Sequence, residues 1–145
     1  MRIPQFDYAS QHAYFITICT KNRQQTLARI EAFGTYRLSS LGVCAEKNLK
    51  MIPHHFPEVQ VEKFVVMPNH VHMMLTLGCN GVQIEHTLPA VIQAYKASVS
   101  RWAGFSVWQR SFYDHVVRNE ADYQMIWQYI ENNPLKWELD RFYTE

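Results

Sequence analysis

The 145-residue sequence predicts one α+β domain with a ferredoxin-like split βαβ sheet, which is antiparallel and carries helices on one face. Runs typical of strands and helices follow in the order strand, helix, strand, strand, helix, strand, helix. No internal repeat, low-complexity segment or linker interrupts them, and 48% hydrophobic content over this length suits one core rather than two. The final helix is an addition to the ferredoxin-like pattern. We therefore expect residues 1–145 to form a single domain.

The first half of the chain predicts a strand, a helix and a hairpin. Residues 12–20 alternate aromatic and β-branched side chains and predict a strand that is buried on at least one face. Residues 39–52 have helically spaced apolar side chains after a serine pair that can cap a helix. Residues 59–67 and 70–77 are strand-like, and the turn dipeptide Pro68-Asn69 joins them. These two strands are therefore expected to form a hairpin.

The second half predicts a helix, a strand and the final helix. After a polar loop, a helix begins near Pro89 and ends at Gly104. Residues 111–118 are typical of a fourth strand. The final helix follows Asn119, whose side chain can cap it, has acidic residues in its first turn and stops at Pro134.

Composition limits the class of protein. The net charge is only +1, so a polyanionic partner would have to be bound by a local basic patch. Cys19, Cys44 and Cys79 are widely spaced without a C-x-x-C pair, which argues against a disulfide framework or a cysteine-rich zinc site. The sequence shows neither an apolar leader pattern nor a run of membrane-spanning length. We expect a cytoplasmic protein with no membrane partner.

His70 and His72 lie in an apolar strand with one residue between them. Side chains alternate faces along a strand, so both imidazoles should project from the same side. Two adjacent neutral imidazoles can ligate a divalent metal if one or two more ligands come from elsewhere. Ordinary surface or partly buried histidines would also satisfy this spacing, so both interpretations stay open. The sequence lacks an H-E-x-x-H helix, which makes a zinc hydrolase the weaker alternative.

The final helix contains candidates for a partner of the histidine pair. Tyr129 and Asn133 are four residues apart, which places them about 40° apart around a helix. Tyr129 lies off the centre of the apolar stripe of this helix, and an amphipathic surface tyrosine is the alternative interpretation. A tyrosine hydroxyl with a pKa of about 10 attacks phosphorus more readily beside a metal. Two histidines and an amide oxygen would hold such a metal beside Tyr129.

Four segments of the sequence together resemble the HUH (histidine, hydrophobic, histidine) transposases with one catalytic tyrosine, and within them the REP-associated tyrosine transposases. They are YFITICTKNR, VVMPNHVHMML, AYKASVSRWAG and VWQRSFYDHVVRNEADYQMIWQYIENNPLKW. The resemblance implies a ferredoxin-like core whose added C-terminal helix carries the nucleophile, Tyr129. It also implies that His70, His72 and Asn133 bind magnesium or manganese, whereas ligand softness alone would favour zinc. Tyr113 and Tyr123 are nearby alternatives, but only Tyr129 has an amide partner one turn later.

The activity implied by the resemblance is cleavage and rejoining of single-stranded DNA. In this interpretation a metal-dependent endonuclease and strand transferase acts on hairpin-forming repeats through a 5'-phosphotyrosine intermediate. The resemblance leaves a monomer and a homodimer open. The alternative is a non-catalytic ferredoxin-like module that binds nucleic acid by aromatic stacking, although no RNP-like aromatic motif occurs on the predicted strands.

DNA binding by a chain of low net charge would depend on where its cations lie. Tyr95, Trp102 and Trp108 could stack on unpaired bases, and core packing is the alternative role for each. The candidates for phosphate contacts, each of which could instead be a solvated cation, are Lys96, Arg101, Arg110, Arg118 and Lys136.

Overall fold

The computed structural model describes residues 12–31, 35–78 and 81–139. Four of its strands form one antiparallel sheet in the order β4-β5-β1-β6, and β2 pairs with β3 in a small separate sheet. This order is that of the ferredoxin-like split βαβ fold, so the predicted fold class is confirmed. In chain order the strands are β1 (His12–Cys19), β2 (Ala28–Ile30), β3 (Tyr36–Leu38), β4 (Val59–Val66), β5 (His70–Leu77) and β6 (Tyr113–Val117).

Side-chain caps fix where the long helices begin. Ser39, Thr87 and Asn119 each accept a hydrogen bond from a backbone N–H in the first turn that follows, which satisfies a donor without a partner inside the helix. Gly104 ends the third helix in a left-handed conformation with φ 82°, which costs glycine little. The helices are α1 (Ser40–Lys50), α2 (Ile52–His55), α3 (Leu88–Ala103) and α4 (Glu120–Asn132), and a 3-10 segment, Asn133–Leu139, follows α4.

The predicted strands and helices are all present in the structure. The helix expected over residues 39–52 ends at Lys50, and Ile52 belongs to the short α2 that follows, which also contains His54 and His55. The small sheet of β2 and β3 was not predicted, because three-residue strands give too little alternation to be recognised in a sequence. No helix in the described ranges is long and apolar enough to span a membrane.

Both faces of the main sheet are covered, by different helices. On one face α1 and α3 pack over Val71, Met73 and Leu75 of β5. On the other face α4 packs over Met74, the next residue with the opposite orientation. All eight residues of β5 are consequently buried, which explains why this strand reads as a nearly continuous apolar run.

The apolar stripe of α4 fixes this helix on the sheet. Tyr123, Ile126 and Ile130 are buried against β1 and β5, and Trp137 of the following 3-10 segment extends the same cluster. Lys63 of β4 adds an ion pair with Glu131 at the exposed edge of this contact. The added helix is therefore held directly over the face of β5 from which the two histidines project.

Candidate active site

His70 and His72 are buried side by side on the α4 face of β5. Their side chains are 0% and 1% exposed, and their ring centroids lie 4.4 Å apart. The two Nε2 atoms face each other at 3.0 Å. The strand thus places two potential ligand atoms at one point, as the alternation of side chains predicts.

The outer nitrogens of both rings are held by neighbouring polar groups. His70 Nδ1 lies 2.7 Å from Asn69 Oδ1, and His72 Nδ1 lies 2.8 Å from Thr17 Oγ1 on β1. An amide oxygen only accepts hydrogen bonds, so the neutral His70 ring carries its proton on Nδ1 and directs a lone pair from Nε2. A hydroxyl can donate or accept, so Thr17 permits either tautomer of His72. Such contacts to the outer nitrogens are typical of imidazoles that bind metals.

The facing nitrogens have two chemically sensible states. In one state His72 Nε2–H donates to His70 Nε2 across the 3.0 Å separation. In the other state both lone pairs point at a shared cation. Two neighbouring ligands of an octahedral ion with bonds of about 2.1 Å would be about 3.0 Å apart, so the spacing fits a divalent metal.

The side chain of Asn133 is a candidate for a third metal ligand. Its side chain is 3% exposed, Nδ2 donates to the Tyr129 carbonyl at 3.4 Å, and Oδ1 has no hydrogen-bond partner within the described part of the chain. A buried acceptor without a partner is costly and needs an explanation. The described residues contain no group of three or more His, Cys, Asp or Glu that could hold a metal, so a third protein ligand would have to be an atom such as this amide oxygen.

The neighbours of Asn133 connect it to both histidines. Tyr129, four residues earlier, has its ring centroid 5.3 Å from that of His72. Trp137, four residues later, has its ring centroid 6.0 Å from that of His70. Asn133 therefore lies midway along a segment whose two ends contact the two imidazoles.

Tyr129 is the partly exposed tyrosine next to the histidine pair. It is 38% exposed, and its ring also contacts Phe15 edge-on with centroids 5.9 Å apart. Tyr129, His72 and Thr17 line a cavity of about 640 Å³, which is large enough for part of a nucleotide chain. The structure thus brings the predicted nucleophile and one predicted metal ligand to the same cavity.

The two alternative tyrosines differ from each other. Tyr123 is 2% exposed and packs in the core beside Trp127, with ring centroids 5.8 Å apart. Tyr113 is 46% exposed and lines the same cavity as Tyr129. The burial of Tyr123 argues against it as a nucleophile, so Tyr113 is the alternative that has access to the cavity. Of the two cavity tyrosines, only Tyr129 accepts a hydrogen bond from Asn133, through its backbone carbonyl.

No protein-family model matches the chain. An uncharacterized protein of Haemophilus influenzae is 34% identical, over the whole of this chain and 92% of that protein. A second protein of the same organism, named "Putative REP-associated tyrosine transposase", is 21% identical over 90% of this chain and 74% of its own length.

A solved structure gives the decisive likeness of fold. The structure of a REP-associated tyrosine transposase bound to a REP hairpin matches with a TM-score of 0.70 and 21% identity, over 97% of this chain and 77% of the other. The chain has the fold of the single-tyrosine transposases. The resemblance stated from the sequence is thereby confirmed for the fold.

Sequence reasoning did not find one polar pair within the single-tyrosine transposase fold of this chain. His115 Nε2 on β6 lies 2.8 Å from Asp122 Oδ2 on α4, and both residues line the cavity of Tyr129. Asp122 Oδ2 also accepts a hydrogen bond from the Arg118 backbone at 3.2 Å. The sequence gives no signal for this pair, because the two residues come together only through the turn that joins β6 to α4.

A second cavity of the transposase fold gathers predicted DNA-binding cations. It measures about 860 Å³ and is lined by Lys96, Arg101 and Arg110, together with Lys21, which sequence reasoning did not select. Lys96 is only 8% exposed, and its Nζ donates to the Gln109 and Arg110 carbonyls at 2.7 and 3.0 Å. Burial lowers the pKa of Lys96. This lysine therefore holds the connecting segment in addition to contributing charge.

The two other predicted cations lie elsewhere. Lys136 lines a third cavity beside Tyr129 and Asn133. Arg118 follows the end of β6 that pairs with Ala13, whereas Tyr113 at the other end pairs with Thr17 beside the histidines. The structure therefore does not place Arg118 in the cavity that Lys21, Lys96, Arg101 and Arg110 line.

The three aromatic residues considered for base stacking differ in their exposure to solvent. Trp102 is 60% exposed on α3 and is free to meet a base. Tyr95 and Trp108 are 3% and 4% exposed members of the core, and the Tyr95 hydroxyl donates to the Ala45 carbonyl at 2.9 Å. For these two rings the structure supports core packing, the alternative role, because both are buried in the cluster that α1 and α3 form with the sheet.

Proposed function

We propose that the protein is a metal-dependent enzyme that nicks and rejoins single-stranded DNA at hairpin-forming repeats, with Tyr129 as the nucleophile. The observation that carries the proposal is the convergence of the His70 and His72 Nε2 atoms at 3.0 Å, with His72 lining the same cavity as the exposed Tyr129. The likeness of fold to a transposase bound to a REP hairpin supports the class of substrate. A module that only binds nucleic acid would have no need of two buried imidazoles aimed at one point.

His70, His72 and Asn133 would hold the magnesium or manganese ion. The unpartnered Asn133 Oδ1 supports this assignment, because a cation would satisfy that buried acceptor. When bound, the ion would neutralise phosphate oxygens and polarise the phosphorus–oxygen bond that breaks. Such an ion keeps several water ligands, so three protein ligands leave room for phosphate oxygens.

In the proposed step Tyr129 Oη forms a bond to phosphorus, and the bond from phosphorus to the 3' oxygen of the preceding nucleotide breaks. The tyrosine hydroxyl loses its proton to solvent, and the released 3' oxygen gains one. The product is a 5'-phosphotyrosine and a free 3'-hydroxyl, and attack by a 3'-hydroxyl on this linkage rejoins strands. No nucleotide triphosphate is needed, because the phosphotyrosine linkage is itself a phosphodiester and conserves the energy of the bond that breaks.

The position of the basic cavity supports a path for the DNA backbone. Lys21 follows Thr17 by four residues, a distance of about 13 Å in an extended chain. The segment from Arg110 to Phe112 leads from the basic cavity to the cavity of Tyr129, since its two ends line the two cavities. A strand whose phosphates contact Lys21, Arg101 and Arg110 would therefore reach the tyrosine within a few nucleotides.

The covalent intermediate provides the test. Hairpin oligonucleotides with single-stranded flanks, labelled at either the 5' or the 3' end, are incubated with the protein and manganese and run on a denaturing gel. Only the 3'-labelled strand should migrate with the protein, because the tyrosine is joined to the 5' phosphate of the downstream fragment. Tyr129→Phe should abolish the adduct and preserve DNA binding.

Tyr113→Phe is the matched control, because it removes the other hydroxyl of the same cavity. This variant should still form the adduct. An adduct that persists in Tyr129→Phe and disappears in Tyr113→Phe would transfer the role to Tyr113. A wild-type protein that binds the hairpin without any adduct would favour the non-catalytic binding module.

A further inference from the structure

Three carboxamide side chains form a row on the outer side of α4. Gln124, Gln128 and Asn132 are four residues apart, so each step along the row rises about 6 Å and turns by about 40°. Asn132 Nδ2 donates to Gln128 Oε1 at 3.5 Å, the long limit for a hydrogen bond, and a ligand could replace so weak a contact. We name Gln124, Gln128 and Asn132 the amide row.

The amide row borders a cavity of about 560 Å³. Tyr129 and Met125 line this cavity and also line the cavity that contains His72. Lys136 lies at the far end, and no acidic residue occurs among the described residues that line it. The nucleophile thus stands at the boundary between a cavity lined by His72 and a cavity lined by the amide row.

The chemistry of the row matches the edge of a nucleobase. A carboxamide presents a donor and an acceptor side by side, and Asn or Gln can pair in this way with N6 and N7 of adenine. Met125 is 72% exposed and offers an apolar, polarisable surface for a base, while Lys136 offers a cation for a phosphate. A DNA strand with its phosphate at Tyr129 must continue on both sides of the nucleophile, so one side would meet the amide row.

We propose that the amide row is a base-reading subsite for single-stranded DNA, with a preference for adenine next to the phosphate that Tyr129 attacks. The inference rests on the proposed function, because it requires the strand to pass Tyr129. It assigns selection of the cleavage position to side chains of α4, separately from the cations that hold the backbone.

The test uses DNA in which the nucleotides are randomised. The full-length protein with manganese reacts with a pool of single strands, and the strands joined to the protein and the released strands are sequenced separately. Base frequencies are then aligned on the cleaved phosphate. Adenine should be enriched about tenfold at one or more positions near that phosphate, which is the selectivity expected of a good bidentate contact.

The double variant Gln124→Ala, Gln128→Ala should make these frequencies nearly uniform among the strands that still react, and the total amount of adduct should fall because the contacts that favour adenine are lost. Alanine favours the helix, so α4 should remain folded. Gln60→Ala removes an exposed amide from β4 and should keep the wild-type base frequencies.

Four results would overturn the inference. The same enrichment in the double variant, or the same loss in Gln60→Ala, would show that the amide row does not read bases. A change of oligomeric state in the double variant, measured by light scattering, would assign the row to a contact between copies of the chain. The absence of adduct with every protein would instead remove the proposed function, and this inference with it.

Discussion

The two faces of β5 are equally buried but are closed in different ways. Val71, Met73 and Leu75 are 0% exposed under α1 and α3, where apolar side chains fill the space. His70 and His72 are 0% and 1% exposed under α4, where polar atoms face one another. Burial alone therefore does not distinguish the core of this protein from its candidate active site.

The difference lies in how the polar atoms are satisfied. Burying a polar group is costly unless it is hydrogen-bonded. On the α4 face Asn69 and Thr17 contact the outer nitrogens of the imidazoles, while Asn133 Oδ1 has no partner in the described residues. The α1 and α3 face gains stability from packing, whereas on the α4 face the unpartnered acceptor lowers the stability that burial provides.

The largest expected effect on cleavage comes from a pair of variants, each with one side chain replaced by alanine on one of the two faces. His72→Ala should lower the rate of cleavage more than about a hundredfold, because removing a ligand should exceed the usual effect of removing a group behind it. Circular dichroism and thermal unfolding should show a folded protein. Met73→Ala, one residue away on the apolar face, should instead lower the free energy of unfolding by about 2–5 kcal/mol and keep cleavage activity below its unfolding temperature.

The opposite pattern would contradict this comparison. If His72→Ala unfolds the protein, or cleaves DNA normally, the α4 face is a core like the other face. His70→Ala provides an independent repeat of the measurement at the neighbouring ring.

Asn133→Ala should have the next largest effect, a loss of cleavage that high manganese concentrations partly restore. The reason is that one of three proposed ligands disappears while Tyr129 remains. Titration of the cleavage rate with manganese should show a higher half-saturating concentration by about 10- to 100-fold. Tyr129→Phe is the control, and no manganese concentration should restore its activity; a failure of restoration in Asn133→Ala would remove this residue from the ligand set.

Thr17→Val should have a smaller effect on the same site. It keeps the shape of the side chain and removes the hydroxyl that contacts His72 Nδ1 at 2.8 Å. Manganese affinity, measured by electron paramagnetic resonance on the protein without DNA, should fall about tenfold. Thr17→Ser keeps the hydroxyl and should bind manganese like the wild type, so equal losses in both variants would point to packing instead.

The smallest effect is expected from a single cation of the basic cavity. Arg101→Gln should reduce the slope of log affinity for DNA against log salt concentration by about one, the change for one lost phosphate contact. Arg118→Gln removes the same charge from the far end of β6 and should leave the slope unchanged. Equal slopes for all three proteins would show that the basic cavity does not hold the DNA backbone.

Much of this fold is encoded in local sequence patterns. The alternation in residues 12–20 and the strand-like runs 59–67 and 70–77, joined by the Pro68-Asn69 turn, predict β1, β4 and β5, in which side chains change face at every residue. The same alternation places His70 and His72 on one face. The identity of that face, and of the helix that covers it, depends on the resemblance to a known family.

The features that were missed depend on contacts between different elements of the fold. His115 and Asp122 meet only across β6 and α4, and nothing in their local sequence predicts a hydrogen bond between them. Tyr95 and Trp108 have the composition of base-stacking residues, but tertiary packing buries both. Lys21 joins the basic cavity because its backbone N–H bonds to the Val107 carbonyl at 2.8 Å, a contact that no sequence period reveals.

Because helices cover both faces of β5, the function of each side chain depends on the face to which it points, and therefore on the pairing register of the strand. Odd-numbered residues from Val71 to Leu75 belong to one layer, and the even-numbered residues from His70 belong to the other. A shift of one residue in the pairing of β5 with β1 and β4 would exchange the two sets. Both imidazoles would then enter the apolar layer, and methionine would occupy their place under α4. The strand can therefore vary by substitution much more readily than by register.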